Sequence, residues 1–341
     1  MKVFFTESSA QRQAFEAFLA SPKQIVIVCH QNPDGDALGS SLGLKHFLEQ
    51  QGHQAIVISP TEVPDYLAWL PSVETVLDFE NYGHTEKAKT LVANADLICC
   101  LDFSNLNRLK NLETAVRASK ATKLLVDHHE EPETFADFTF WNQQAASTCE
   151  LIFQLIEQID GRAFVNQTVA TCLYTGLVTD TGSFRFDSIS KEVHRVAGEL
   201  VSTGIEVNKI HRALFDNNSI TRLKMLGFVL NNKLVHLPEF KVVYMSLSAE
   251  DLKQFGSQSG DTEGFVNYGL SIKGVQMAAI FIERGDLIKI SFRSVDDFSV
   301  SEFSRKHFDG GGHKNAAGGR STASLDETIS RFLSLLPTYL G

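Results

Sequence analysis

Eight side chains carry the chemistry that this sequence suggests: His30, Asp34 and Asp36, then Asp102, then Asp127, His128 and His129, and last Asp180. The first three stand in His-Gln-Asn-Pro-Asp-Gly-Asp-Ala-Leu-Gly-Ser, a Pro/Asp/Gly turn starting at residue 30. Imidazole nitrogen with carboxylate oxygens two residues apart suits a hard or borderline divalent cation such as manganese. Carboxylates gathered in one place repel unless cations lie between them. Two cations about 3.5–4 Å apart, sharing a bridging carboxylate, activate water for attack at phosphorus. Taken singly, each residue has a plainer reading: Asp34 as a helix N-cap, Asp102 as a loop cap, Asp180 as a turn residue, the histidines as packed or hydrogen-bonded structural groups. Their common position at the ends of ordered elements is what argues for one site.

The elements that must position them are legible from periodicity. Gln24–Cys29, Gln54–Ser59, Ala95–Leu101 and Lys123–Val126 are apolar, β-branched runs that predict buried strands. Helical spacing follows at 37–51, 149–159, 167–177, 191–202 and 207–214, and residues 7–20 predict an amphipathic helix over the first strand. Alternation of strands and helices predicts an α/β class with a mainly parallel sheet, whose strand ends share one edge. Tyr66, Leu67, Trp69 and Leu70 read as packing. A linking helix opened by a Ser219 cap is expected over 219–232. Beyond Pro238 the period changes to two, with strands at 241–247, 275–282 and 287–292 and a hairpin turn at 283–286, so a smaller α/β domain follows. The expected division is a catalytic domain at 1–205, a helical linker at 206–232 and a substrate domain at 233–341.

The 341 residues suffice for two cores, and 43% hydrophobic with 21% charged residues is an ordinary globular balance. A formal charge of −10 argues against broad binding of long nucleic acid, which needs a basic face. It leaves room for a short anionic substrate beside bound metal. No apolar run approaches membrane-spanning length and the first residues lack a secretory pattern, so a cytoplasmic protein with no membrane partner is expected. Five cysteines without zinc or disulfide spacing read as buried thiols.

The His-x-Asn-Pro-Asp-Gly-Asp turn, the strand-terminal Asp102, the Asp127-His128-His129 triplet and Thr-Asp-Thr-Gly-Ser-Phe around Asp180 together resemble the four motifs of the DHH phosphoesterase superfamily. That superfamily includes the RecJ exonuclease, manganese-dependent pyrophosphatases and the nanoRNase/pAp phosphatase group, whose pattern is nearest. Ser291-Phe292-Arg293-Ser294 and Gly310-Gly311-Gly312-His313-Lys314-Asn315 resemble the DHH-associated substrate domain. The resemblance covers about residues 20–335. It implies two divalent cations, manganese by family habit. His30 and Asp34 would hold one, and Asp36, His128 and Asp180 the other, with Asp102 bridging. Asp127 would support His128, and His129 would contact phosphate and help the leaving oxygen depart. Arg293, Gly310, Gly311, Gly312, His313 and Asn315 would bind substrate. Arg108 is a further candidate, weighed against a solvated helix arginine. Asp309 stands where the family often has glycine, so the first turn there is expected to differ.

The implied activity is hydrolysis of very short RNA, dinucleotides included, and of 3′-phosphoadenosine 5′-phosphate, with no long duplex as partner; the resemblance also admits a homodimer. The competing readings are a pyrophosphatase or exopolyphosphatase sharing the metal motifs, and a catalytically silent nucleotide-binding regulator. Every ligand position is filled, which favours an enzyme.

Overall fold

The computed structural model describes residues 10–186, 188–258 and 260–340, so the start of the expected first helix, 7–9, lies outside the described residues. The chain divides into two compact units, Met1–Asn217 and Asn218–Gly341.

In the first unit the strands are β1 (Gln24–Cys29), β2 (Gln54–Ser59), β3 (Leu77–Asp78), β4 (Leu97–Leu101), β5 (Thr122–Asp127) and β6 (Phe138–Trp141). The helices are α1 (Ala10–Leu19), α2 (Gly35–Gln50), α3 (Tyr82–Asn94), α4 (Glu113–Ala118), α5 (Thr148–Gln158), α6 (Gln167–Asp180), α7 (Lys191–Ser202) and α8 (Val207–Phe215). The strands form a parallel sheet in the order β3-β2-β1-β4-β5-β6. Because β1 is buried on both faces, its residues alternate between two cores. Ile25, Ile27 and Cys29 face α2, α5 and α6, while Val26 and Val28 face α3 and α4. That explains the unbroken apolar run.

The edge strands β3 and β6 and the polar helix α3 carry no strong periodic signal. β3 is two residues long, and α3 buries only Ala88 and Val92. The segment 66–70 packs as its composition suggests, with Leu67 and Leu70 buried and Tyr66 and Trp69 against the same core.

Strand order reverses between β1 and β4, the switch point where open α/β sheets offer a crevice. Cys29 pairs with Leu101, and Leu101 with Val126. The next residues on each strand, His30, Asp102 and Asp127, therefore form one row along the carboxyl edge. Helix α2 runs antiparallel to α6 at very short range: a Cβ on Gly39 would lie 2.5 Å from the Cys172 carbonyl oxygen, and one on Gly176 would lie 2.7 Å from Asp36 Oδ1. Only glycine permits that approach, and it brings the first turn of α2 to the last turn of α6, where Asp180 sits.

The second unit comprises α9 (Ile220–Phe228), β7 (Val235–Leu237), β8 (Val242–Leu247), α10 (Ala249–Gln254), α11 (Phe265–Leu270), β9 (Met277–Arg284), β10 (Leu287–Ser294), α12 (Val300–His307), β11 (Gly311–His313), β12 (Ala316–Ser321) and α13 (Leu325–Leu340). Its sheet runs β11-β12-β10-β9-β8-β7, antiparallel except for the β8–β9 pair. Ser219 caps α9 as expected, but the helix stops at Phe228 and widens into a π turn over Val229–Lys233. The segment expected as one linker is thus shared, with α8 in the first unit and α9 in the second. Two glycines of the run, Gly311 and Gly312, lie with His313 on strand β11, and Gly310 precedes it. Among the described residues no helix is long and apolar enough to cross a membrane.

Candidate active site

Asp34 performs the plain role and a second one together. Its Oδ1 caps α2, accepting the Asp36 and Ala37 N–H groups at 3.0 Å each. Its Oδ2 points the other way, 3.8 Å from His30 Nε2. Asp102 sits just past β4 with φ of +65°, a left-handed conformation uncommon for a non-glycine residue and concentrated at functional sites. Its carboxylate divides between two imidazoles: Oδ2 lies 3.4 Å from His30 Nε2 and Oδ1 3.4 Å from His128 Nε2. His128 Nε2 also lies 3.7 Å from Asp36 Oδ2 and 3.5 Å from Asp180 Oδ2.

Two clusters follow, His30 with Asp34 and Asp102, and Asp36 with His128 and Asp180, each with its ligand atoms within 4.8 Å of one another. Donors about 2.1 Å from one ion stand roughly 3.0–3.4 Å apart for angles between square and tetrahedral, close to the shorter of these separations. The ring tautomers agree. A carbonyl can only accept, so His30 Nδ1–H donates to the Gln31 carbonyl (2.7 Å) and His128 Nδ1–H to the Ala145 carbonyl (3.2 Å). Each Nε2 therefore faces carboxylates and, in the neutral ring, carries the lone pair that a metal-ligating histidine offers. The donor set fits divalent cations.

The electrostatics show the same crowding. Burial, reinforced by the charge of Asp102, pushes Asp36 up to about 8. Burial and the charges of Asp36 and Asp34 push Asp180 well above the carboxylate range. Burial alone would raise Asp102 too, but the facing imidazoles of His128 and His30 hold it well below that range. Against the effect of burial, these carboxylates raise both histidines, His128 the more strongly. Without a cation the site retains protons where positive charge is needed.

Asp127 lies behind this layer, fully buried, but it holds His129 and not His128 as expected: its Oδ1 accepts from His129 Nδ1–H at 2.8 Å, while the His128 Nδ1–H is taken by the Ala145 carbonyl. Trp141 Nε1 fixes the His129 carbonyl at 2.7 Å. Arg108 is no solvated helix arginine: it is half-buried in a 3₁₀ turn, its carbonyl accepts the Gln31 N–H at 2.9 Å, and its buried Nε has no hydrogen-bond partner among the described residues.

In the second unit Arg293 is on β10, paired across β12 with Ala316. Gly311, Gly312 and His313 lie on β11, and Gly310 immediately precedes it. A Cβ on Gly310 would run into the Gly318 carbonyl and Ser304 Oγ, and Gly312 has φ of +145° with the Ala316 carbonyl 2.5 Å from where a Cβ would stand. Gly311 alone of the three faces open space. Asn315 spends both amide hydrogens inside the unit, on Ser294 Oγ (2.9 Å) and the Asp296 carbonyl (3.2 Å), which leaves only Oδ1 for a substrate. Asp309 takes a left-handed φ of +45° and pairs with Arg320 at 2.6 Å.

The sequence reading missed Thr148 and Cys149. Their N–H groups, at the start of α5, bind the two Asp36 oxygens at 2.6 and 2.9 Å, and Thr148 Oγ1 donates to Asp102 Oδ1 at 3.0 Å. The available signal was Ser147 with Glu150 three residues on, a helix-start pattern.

The DHH family, N-terminal domain, matches residues 24–177, and the DHHA1 domain matches residues 239–340. A solved structure of an exopolyphosphatase-related protein from Bacteroides fragilis superposes with a TM-score of 0.92 at 38% identity, covering 97% of this chain and 96% of that one. The chain belongs to the DHH family. It is a metal-dependent phosphoesterase. The bifunctional oligoribonuclease and PAP phosphatase NrnA of Bacillus subtilis is 27% identical over 318 residues, covering 92% of this chain and 94% of its own. The protein of the same name from Thermus thermophilus is 28% identical over 324 residues, covering 94% and 92%.

Proposed function

We propose that this DHH phosphoesterase hydrolyses very short oligoribonucleotides to mononucleotides and removes the 3′-phosphate of 3′-phosphoadenosine 5′-phosphate, using two manganese ions in the cytoplasm. The observation that carries the two-cation reading is the Asp102 carboxylate, one oxygen 3.4 Å from His30 and the other 3.4 Å from His128. The substrate class rests on the relatives named for oligoribonuclease and PAP phosphatase activity and on the DHHA1 domain.

His30, Asp34 and Asp102 would hold one cation, and Asp36, His128 and Asp180 the other, with Asp102 facing both groups. Bound there, the cations would supply an activated water and neutralise charge on the phosphoryl oxygens. Thr148 and Cys149 orient Asp36 through their N–H groups, and Thr148 Oγ1 holds the shared carboxylate. Asp127 keeps His129 in one tautomer, and the ring contacts phosphate and attends the leaving oxygen. The half-buried Arg108 guanidinium serves a substrate phosphate. Residues 1–205 form the catalytic domain and 233–341 the substrate domain, where Arg293, His313 and the open backbone at Gly311 contact nucleotide.

The name of the Bacteroides fragilis protein favours polyphosphate as a second reading. Time courses decide between them, using an end-labelled RNA dinucleotide, a five-nucleotide RNA, 3′-phosphoadenosine 5′-phosphate, pyrophosphate and polyphosphate, each with manganese or chelator. The nucleotides are expected to turn over fastest and only with metal. Preference for pyrophosphate or polyphosphate, or turnover in chelator, overturns the proposal.

A further inference from the structure

The two imidazoles that face the carboxylates are each held through a peptide group, and the two peptides are backed differently. His30 Nδ1–H donates to the Gln31 carbonyl, and the N–H of that same peptide, on Asn32, donates to Thr61 Oγ1 at 2.7 Å. His128 Nδ1–H donates to the Ala145 carbonyl, and the N–H of that peptide, on Ala146, donates to Glu150 Oε2 at 2.7 Å. C=O and N–H of one peptide are conjugated, so an acceptor on the N–H side strengthens the carbonyl as an acceptor on the other. A neutral hydroxyl stands behind His30 and a carboxylate behind His128.

Glu150 is an unusual place for an acid. It is 3% exposed, in the first turn of α5, and its Oε1 accepts from Gln154 Nε2 at 3.1 Å. Burial pushes its carboxyl up while the Ala146 N–H favours the ionised form. Ser147 caps the helix by accepting the Glu150 N–H at 3.0 Å. In the usual capping box the acid would reach back to the N–H of the cap residue itself. Here it reaches one residue further, to the peptide that holds His128.

We infer that Glu150 is a positioning residue for His128, acting through the Ala145–Ala146 peptide to fix the imidazole with Nε2 toward the cation site and to raise its basicity as a ligand. This rests on the reading of His128 as a metal ligand. The carboxylate–imidazole pairing that metal sites commonly use directly is here passed through one amide. It also makes the two sites unequal, the one containing His128 being the tighter.

The test compares the full chain with Glu150→Gln, Thr61→Val and His128→Ala. Glutamine keeps an acceptor for the Ala146 N–H and removes the charge. Three readouts apply: thermal unfolding in chelator, manganese titration by calorimetry, and ¹⁵N imidazole shifts of the metal-free protein at a pH high enough to leave His128 neutral. Glu150→Gln is expected to unfold within a few degrees of the parent in chelator, to lose about tenfold in affinity at one of two manganese sites, and to show His128 drifting toward a mixed tautomer. Thr61→Val is expected to weaken the other site by a smaller factor. Wild-type manganese affinity and an unmixed His128 tautomer in Glu150→Gln overturn the inference and leave Glu150 as a helix cap. Unchanged manganese binding in His128→Ala instead overturns the ligand assignment beneath it.

Discussion

The two units use their sheets in opposite ways. In the first, strands are buried scaffolding and the candidate functional groups are side chains at or just beyond their ends, gathered by register: His30, Asp102 and Asp127 from three neighbouring strands. In the second, the residues expected to meet substrate lie within strands, and the shape is set by backbone, with Gly310 and Gly312 required because other carbonyls occupy the space of a side chain. A site built from side chains at strand ends tolerates little change in chemistry, whereas a site built from backbone tolerates little change in volume.

The largest effect should come from breaking the first arrangement at its shared carboxylate. Asp102→Asn removes one negative charge between the clusters and is expected to lower turnover of every phosphate substrate at least about a thousandfold, about 4 kcal/mol. Initial rates at saturating manganese check this, and unchanged turnover would refute two-cation chemistry. Substitution in the second arrangement should separate binding from chemistry. His313→Ala and Arg293→Ala are expected to cut dinucleotide kcat/KM by roughly ten- to a hundredfold while manganese affinity, measured calorimetrically, stays at the parent value.

Next in size is a pH effect confined to the first unit. In the metal-free fold Asp36 keeps its proton to about pH 8 but loses it near 3.8 when unfolded, so the unfolded state gains as pH rises between them. His30 and His128, raised in the fold above 6.5, contribute stability below that value that is lost as pH climbs through their folded values. Asp102, held below its ordinary 3.8, contributes a constant amount across this window. The melting temperature in chelator should therefore fall from pH 5 to pH 8, and manganese should restore more of it at pH 8 than at pH 6. A flat chelator profile would contradict the crowding of carboxylates. The smallest effect belongs to the second unit. Asp309→Gly relieves a left-handed φ and gives up only an exposed pair with Arg320, so the unfolding free energy from denaturant titration should rise by about 0.5–1 kcal/mol.

The same contrast governs what the sequence discloses. Strand ends announce themselves, since an apolar run that halts at Asp102 or at Asp127-His128-His129 can be read without coordinates, and parallel pairing then implies convergence. Gln24–Cys29 and Lys191–Ser202 have the expected bounds. The Asp34 turn holds both of its readings, because the two oxygens of one carboxylate face different ways. Thr148 was not legible, since its contact with Asp102 spans 46 residues and a threonine at a helix start is ordinary. Strand β11 at Gly311–His313 was not legible, because glycine in a strand has no propensity signal. Its pairing with Ala316–Gly318 depends on close backbone approach that composition does not encode. Asn315 belongs to the same lesson, its amide committed to Ser294 and Asp296.

The switch point between β1 and β4 has a kinetic consequence. Ile25 pairs with Leu97, so the row bearing His30 and Asp102 closes only after a segment of more than seventy residues has been brought round. Non-local pairing of this kind slows folding, and the row of proposed cation ligands is complete only when both halves of the sheet have joined. Manganese is therefore expected to leave the folding rate near its value in chelator and to slow unfolding, which stopped-flow refolding and unfolding with and without the metal would check.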